Sequence, residues 1–236
     1  CQNSSAGAGR IRTKIALCVI AFFIALEVRR EFRMRKQPKQ KRSQAMVQSL
    51  IEATGKVIVT RGMEFTTTNH IAEAAGVDIA SLYQFFNNKE ELIEAVVRNI
   101  VEDVIGGAND FLAAIDMFSL SPEQLLRSVM TYGMATARAN PVIREIARSS
   151  QYLQRSPSLS ILEQHMQNLA TQYFRRHFRK FDIEDLNVRL YVVSISAFAT
   201  IARHLSETHP IIKDEEIINA LVNMIGPYFQ VNASQA

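Results

Sequence analysis

The chain has 236 residues, 47% of them hydrophobic and 21% charged, which suits one or two globular domains with a proper core. Its net charge of +4 is unevenly spread: residues 1–42 hold 11 Lys/Arg and 2 Glu, a net of +9, leaving the rest of the chain at −5. Both cysteines, Cys1 and Cys18, lie in that leading segment, so no disulfide framework or cysteine metal site is possible in the body, as befits a reducing compartment.

Few glycines and prolines, no tryptophan and long apolar-periodic runs predict an all-α fold. Residues 15–26 form a run of 12 apolar residues flanked by basic ones, too short for a bilayer span of about 20 residues. No small-residue cleavage site follows it. The basic run around Pro38, with Arg35, Lys36, Lys39, Lys41 and Arg42, can neutralise phosphates without reading sequence. Residues 1–42 are therefore expected to form a basic, largely disordered leader. Ser43 is a candidate cap for a first helix over about 44–60, with Met46, Val47, Leu50, Ile51, Val57 and Ile58 on one stripe. Arg61-Gly62 ends it, and Phe65 is expected to pack back under the next unit.

That unit runs from Thr66 to Lys89. Thr67 can accept a hydrogen bond as N-cap of a helix over 68–75, which turns Ile71, Ala72 and Ala75 to one side. Gly76 supplies the left-handed backbone angle that ends such a helix. Val77 fills the corner, and Asp78 opens a second helix carrying Leu82, Tyr83 and Phe86. Small residues at 72, 74, 75 and 80 let the two helices cross closely. This is the pattern of a helix-turn-helix, whose second helix fits a DNA major groove.

Asn88 with Glu91 forms a capping-box pattern opening a helix to about Ile105, where Gly106-Gly107 is expected to interrupt it. Further helices are expected over about 122–138, 141–153 and 157–180, each opened by proline after Ser121, Asn140 or Ser156. Two long apolar helices follow over about 183–206 and 214–230. The first is nearly apolar all round and must be covered on more than one side. His204 and His209, near its end, are expected at the surface. Nothing supports catalysis: there is no Gly-rich phosphate loop, nucleophile elbow or His-Glu-x-x-His. Glu163 and His165 lie two apart and face different directions, so no metal site is expected.

Ile71-Ala72-x-x-Ala75-Gly76-Val77, followed by Ala80-Ser81-Leu82-Tyr83-x-Phe85-Phe86-x-x-Lys89-x-x-Leu92, resembles the DNA-binding domain of TetR-type transcriptional regulators over residues 43–98. Asp78 stands where serine is usual in that family, and Ala80 where glycine is commoner. The resemblance implies a three-helix helix-turn-helix domain over 43–90, and a larger helical effector-binding and dimerisation domain over 91–236. Met34-Arg-Lys-Gln-Pro looks like an ordinary opening for such a regulator, so residues 1–33 are expected to be upstream of the native start.

It also implies roles. Tyr83 and Lys89 are positioned like phosphate-touching residues of the family, joined by Thr67, Thr68 and, from the arm, Arg42. Base edges would meet Ile79, Ser81 and Gln84, through a thymine methyl, several bases and adenine respectively; Asp78 can face a cytosine amino group or serve only as a helix cap. Ligand-pocket candidates are Phe111, Phe118, Met130, Tyr132, Met134, Tyr152, His165, Met166, Leu169, Tyr173 and Phe174, each of which taken alone also reads as core. An intersubunit four-helix bundle would cover the two long helices through Leu190, Val193, Ala197, Ile201, Ile218, Leu221, Val222 and Ile225. The expected partners are double-stranded, palindromic operator DNA, a second copy of the chain and a small apolar or amphipathic effector. No cofactor is expected, the compartment is cytoplasmic, and repression is the family's commoner mode. The alternative is a membrane-associated helical protein binding lipids or small molecules, with residues 15–26 as anchor.

Overall fold

A computed structural model describes residues 40–177, 185–208 and 211–229. The expectations for the leader before residue 40, for the basic residues 178–180 and for His209 lie outside the described residues. Among the described residues all regular structure is helical: α1 (Lys41–Arg61), α2 (Thr68–Ala75), α3 (Ile79–Tyr83), α4 (Lys89–Ala114), α5 (Pro122–Ala139), α6 (Pro141–Arg148), α7 (Ser150–Arg155), α8 (Pro157–Arg176), α9 (Leu186–Ser206), α10 (Asp214–Ile225) and a 3₁₀ turn (Gly226–Phe229).

The N-terminal unit closes where its sequence requires. Thr67 Oγ1 accepts from the His70 amide, and Gly76 takes φ +65° at the end of α2, where its own amide reaches back to the last turn. Val47, Leu50 and Ile51 from α1 meet Ile71, Ala72, Leu82 and Phe86, and the first turns of α4 seal the cluster with Leu92, Ala95 and Val96. Two details differ from expectation. Helix α1 starts at Lys41, with Gln40 as an N-cap that makes no side-chain bond, so Ser43 lies within the helix. Phe65 is 71% exposed. Met63 and Thr66 occupy the inward positions of that loop instead, and the Thr66 hydroxyl donates to the Gly62 carbonyl at 2.8 Å.

Helix α4 does not stop at Gly106-Gly107 but continues through both to Ala114. Packing of Ile105, Ala108 and Leu112 holds the segment helical, outweighing about 1 kcal/mol of propensity lost per glycine. Gly107 is there for closeness: a Cβ at that position would overlap the Tyr132 hydroxyl of α5. At the other end, Asn88 accepts from the Glu91 amide as expected, while the Glu91 carboxylate passes the cap and binds the backbone and side-chain nitrogens of Asn87.

All three proline openings are present, and Ser121 and Gln124 form a full capping box. The stretch 141–153 is two helices. Ser149, with non-helical φ −99° and ψ 87°, separates α6 from α7.

The body core gathers Met130, Met134, Leu169, Tyr173, Phe174, Leu190, Leu205, Ile218, Leu221, Val222 and Ile225. Between the two cores a third cluster joins Ile58 of α1, Ile93, Val97 and Val101 of α4, and Ile146 of α6. At this joint Glu94 is buried, and its carboxylate accepts from Tyr152 Oη, from Ser156 Oγ at 2.9 Å and from the Ser158 amide at 2.9 Å. The acceptor thus sits on the N-terminus of α8, where backbone N–H groups lack helical partners. Burial, then the bond to Glu94, pushes the Tyr152 hydroxyl well above the ordinary tyrosine range.

Candidate functional site

The outer surface of the N-terminal unit assembles several polar groups around the start of α2. The Tyr83 and Thr68 hydroxyls are 3.1 Å apart, tying the end of α3 to the first turn of α2. Lys89 Nζ donates to the Glu64 carbonyl at 3.4 Å, and the Phe65 carbonyl meets His70 Nδ1 at 3.2 Å. Thr67 spends an acceptor lone pair on its cap and keeps its hydroxyl proton for a ligand. Thr67, Thr68, Tyr83 and Lys89 are therefore brought together on one surface. Hydroxyls, a phenol and an ammonium at a helix N-terminus match the needs of a phosphate.

Flanking α3, Asp78 and Gln84 are exposed, and within it Ser81 is half-buried. Asp78 stands at the N-cap position but makes no side-chain capping bond, so its carboxylate is not occupied by the helix. Ile79 is half-buried and leans on the core of its own unit, which shortens its reach toward a thymine methyl. Arg42 is exposed in the first turn of α1.

Inside the body lies a cavity of about 400 Å³. Of the expected pocket residues, Met130, Met166, Leu169, Tyr173 and Phe174 line it. The others are engaged elsewhere. Phe111 and Tyr132 stack on each other with ring centroids 4.6 Å apart, and Met134 is fully enclosed in the core. Phe118 lies under the Arg176 guanidinium, 4.5 Å from its ring centroid. Tyr152 belongs to the Glu94 joint. His165 is buried with Nε2 3.1 Å from Asn109 Oδ1 and Nδ1 unpartnered; burial lowers its pKa. The Tyr173 hydroxyl, raised above the tyrosine range by burial, is spent on the Leu120 carbonyl at 2.6 Å, so only its ring faces the cavity.

The residues expected at a dimer interface lie inward within the single chain. Leu190, Val193, Ala197, Ile201 and Ile225 line the cavity of their own chain, and Ile218, Leu221 and Val222 fill its core. What α9 leaves outward is the opposite stripe, Val188, Tyr191, Val192 and Ile195, with Tyr191 59% exposed, while the partly exposed Phe198 also reaches the cavity. Met224 and Tyr228 add to it from the C-terminal end, where the Arg189 guanidinium lies 5.1 Å from the Tyr228 ring centroid. By length and composition α9 is the one described helix apolar enough to cross a membrane, yet its inner stripe is a cavity wall. His204 is buried, not superficial: its Nε2 lies 2.7 Å from Asp214 Oδ1, and Arg138 holds both oxygens of the same carboxylate. The Arg138 bond, with help from His204, keeps Asp214 below the usual carboxylate range.

Two helices serve both regions. Helix α4 gives Leu92 and Val96 to the N-terminal core and Val97, Ile100, Val101 and Val104 to the cavity wall. Eight-residue α6 touches the N-terminal core with Val142, 3.8 Å from where a Gly55 Cβ would lie, and the cavity with Ile143, Ile146 and Ala147. Sequence reasoning missed these wall residues. They carry no polar tag, and only their spacing beyond the first turns of α4 hints at a second role.

Residues 50–96 match the family described as bacterial regulatory proteins, tetR family. Over 65 residues the chain is 31% identical to the HTH-type transcriptional repressor KstR2 of Rhodococcus jostii, covering 28% of this chain and 32% of that protein. Over 98 residues it is 31% identical to the HTH-type transcriptional regulator TtgR of Pseudomonas putida, covering 40% and 47%. The chain thus spans less than half the length of these two relatives. The fold extends further. The fatty acid degradation regulator FadR of Bacillus halodurans superposes with a TM-score of 0.56 at 15% identity, over 80% of this chain and 96% of that one. A TetR-family regulator of Streptomyces coelicolor gives 0.57 at 18% identity, over 79% and 96%.

Proposed function

The chain belongs to the TetR family of bacterial regulatory proteins, and from that membership we propose that it is a cytoplasmic, homodimeric repressor released from palindromic operator DNA by a small apolar or amphipathic effector. Residues 43–90 form its DNA-binding domain and residues 91–236 its effector-binding and dimerisation domain. The observation that carries this reading is the surface joining Thr67, Thr68, Tyr83 and Lys89 beside the exposed Asp78 and Gln84. The first four hold phosphates, and Asp78, Ser81 and Gln84 meet base edges. Lys41 and Arg42 continue the basic arm toward the backbone.

Two such surfaces must sit about 34–36 Å apart to enter successive major grooves on one DNA face. A second copy packed on the stripe of Val188, Tyr191, Val192 and Ile195, with Met224 and Tyr228, provides the two-fold and covers apolar side chains that this chain leaves exposed. Effector in the cavity presses on α4 and α6, which also belong to the N-terminal core, and changes the separation of the two reading helices.

Selection of binding sites from random duplexes tests this reading. A two-fold symmetric sequence bound by two chains is expected. Gln84→Ala should relax preference at one position per half-site, whereas Lys89→Ala should weaken all sequences alike and lower the salt slope by about one. Binding without sequence preference would refute it. Paired Tyr191→Asp and Ile195→Asp substitutions should yield monomers in sedimentation; an unaltered dimer would exclude this stripe as the interface.

A further inference from the structure

We infer that the effector is an apolar molecule bearing a protonated amine or a similar cationic hydrogen-bond donor, held at Glu163, Gln167 and Ser194. This rests on the cavity being the effector site. Among the described residues lining it, Glu163 is the one with a formal charge, and no Lys, Arg or His joins it. The three polar groups form a patch whose donors are already spent. Gln167 Nε2 donates to Ser194 Oγ at 3.0 Å and to Glu163 Oε1 at 3.4 Å. A carboxylate only accepts, so this fixes which way the amide points. The Ser194 hydroxyl donates to the Leu190 carbonyl at 2.7 Å. What these two lining residues have left to offer is acceptors: the second Glu163 oxygen and the Gln167 carbonyl.

A patch of acceptors with a net negative charge recognises a donor with a positive one. It repels an acid, whose carboxylate would meet like charge in apolar surroundings with no cation to offset the loss of water. Apart from the Thr136 hydroxyl and the Tyr173 ring, the rest of the wall, Leu125, Val129, Met166, Val193 and Phe198 among others, is apolar and offers dispersion and desolvation to the body of the ligand. Its volume of about 400 Å³ lies within the roughly 300–1,000 Å³ of pockets that enclose drug-sized molecules.

Decylamine, decanol and decanoate share one chain length and differ only in the head, so calorimetric titration of each into the full chain at neutral pH isolates the patch. Decylamine should bind about tenfold more tightly than decanol, the margin of one charge-assisted hydrogen bond, and decanoate most weakly. In Glu163→Gln, a change at a half-buried position that keeps shape, the amine should fall to the level of decanol while decanol itself is unchanged. Decanoate binding as well as the amine, or an amine preference that survives Glu163→Gln, overturns the inference and leaves an effector cavity of another class. If none of the three binds, the effector reading of the cavity falls and this inference with it.

Discussion

The two ends of the molecule are built to opposite standards. In the N-terminal unit Leu50, Ile71, Leu82, Phe86 and Leu92 are fully enclosed, and α2 is entered through the Thr67 cap and left through the left-handed Gly76. The body surrounds a void of about 400 Å³ and leaves large apolar side chains on its outer face. Close packing makes one end a rigid object whose surface geometry is set by its core. The cavity leaves the other end less closely packed. A reading unit needs the first property, and a unit that responds to a small molecule needs the second.

The sharpest way to break this comparison is to remove bulk from each end. Phe86→Ala should cost about 3–5 kcal/mol of unfolding free energy, because the cavity it leaves cannot collapse. Leu125→Ala, at the cavity wall, should cost less than about 1.5 kcal/mol, since its side chain already faces space that holds no partner atoms. Equal losses in denaturant titrations would mean that the body is packed as tightly as the head.

The joint between the ends comes next. Glu94→Ala would strand the Tyr152 and Ser156 hydroxyls and the Ser158 amide in a buried place, at a cost of about 2–3 kcal/mol. Tyr152→Phe, which leaves the two serine contacts intact, should cost about 1 kcal/mol. Should the two variants unfold at the same denaturant concentration, the carboxylate is not the organising group of that joint.

What could be read in advance follows the same division. The head is specified by local chemistry: the Thr67 cap, the left-handed Gly76 and the Asn88 cap each act within a few residues, so sequence reveals them. The three Ser/Asn-Pro openings are legible for the same reason. The body is decided by tertiary contacts. Helix α9 is apolar on nearly every face, and nothing in its sequence says which stripe turns inward; Leu190, Val193 and Ala197 face the cavity while Tyr191, Val192 and Ile195 do not. The break at Ser149 has no glycine or proline to announce it. His204 is buried because Asp214 and Arg138 come from other helices to meet it, and Phe65 is exposed because its neighbours took the inward places. Gly106-Gly107 looks like a stop only if the partner of Gly107 is unknown.

That glycine pair gives a smaller, well-controlled test. A Cβ at Gly106 meets open space, whereas one at Gly107 overlaps a Tyr132 hydroxyl that stacking on Phe111 holds in place. Gly106→Ala should therefore stabilise by about 0.5–1 kcal/mol through helix propensity alone. Gly107→Ala should lose that gain to the clash, and a matching rise in melting temperature for both would remove the close approach of α4 and α5 from the account.

The smallest expected effect concerns acidity, and it again separates the ends because the group responsible lies in the body. Burial lowers the pKa of His165, so at mildly acidic pH the unfolded chain, with an ordinary histidine near 6.5, binds a proton that the folded chain refuses. The stabilisation from this group is complete above about pH 6.5 and declines as pH falls toward the folded value. Asp214, held low first by the bond from Arg138, contributes fully above the ordinary carboxylate pKa of about 3.9 and loses that contribution as pH falls below it, so its decline begins at lower pH than that of His165. Stability should thus rise between pH 5 and pH 7.5 (about the span over which an ordinary histidine deprotonates). His165→Gln, which can still donate to Asn109 but does not titrate, should flatten that rise. A slope unchanged by the substitution would place the titrating group elsewhere and leave the unpartnered Nδ1 without thermodynamic consequence.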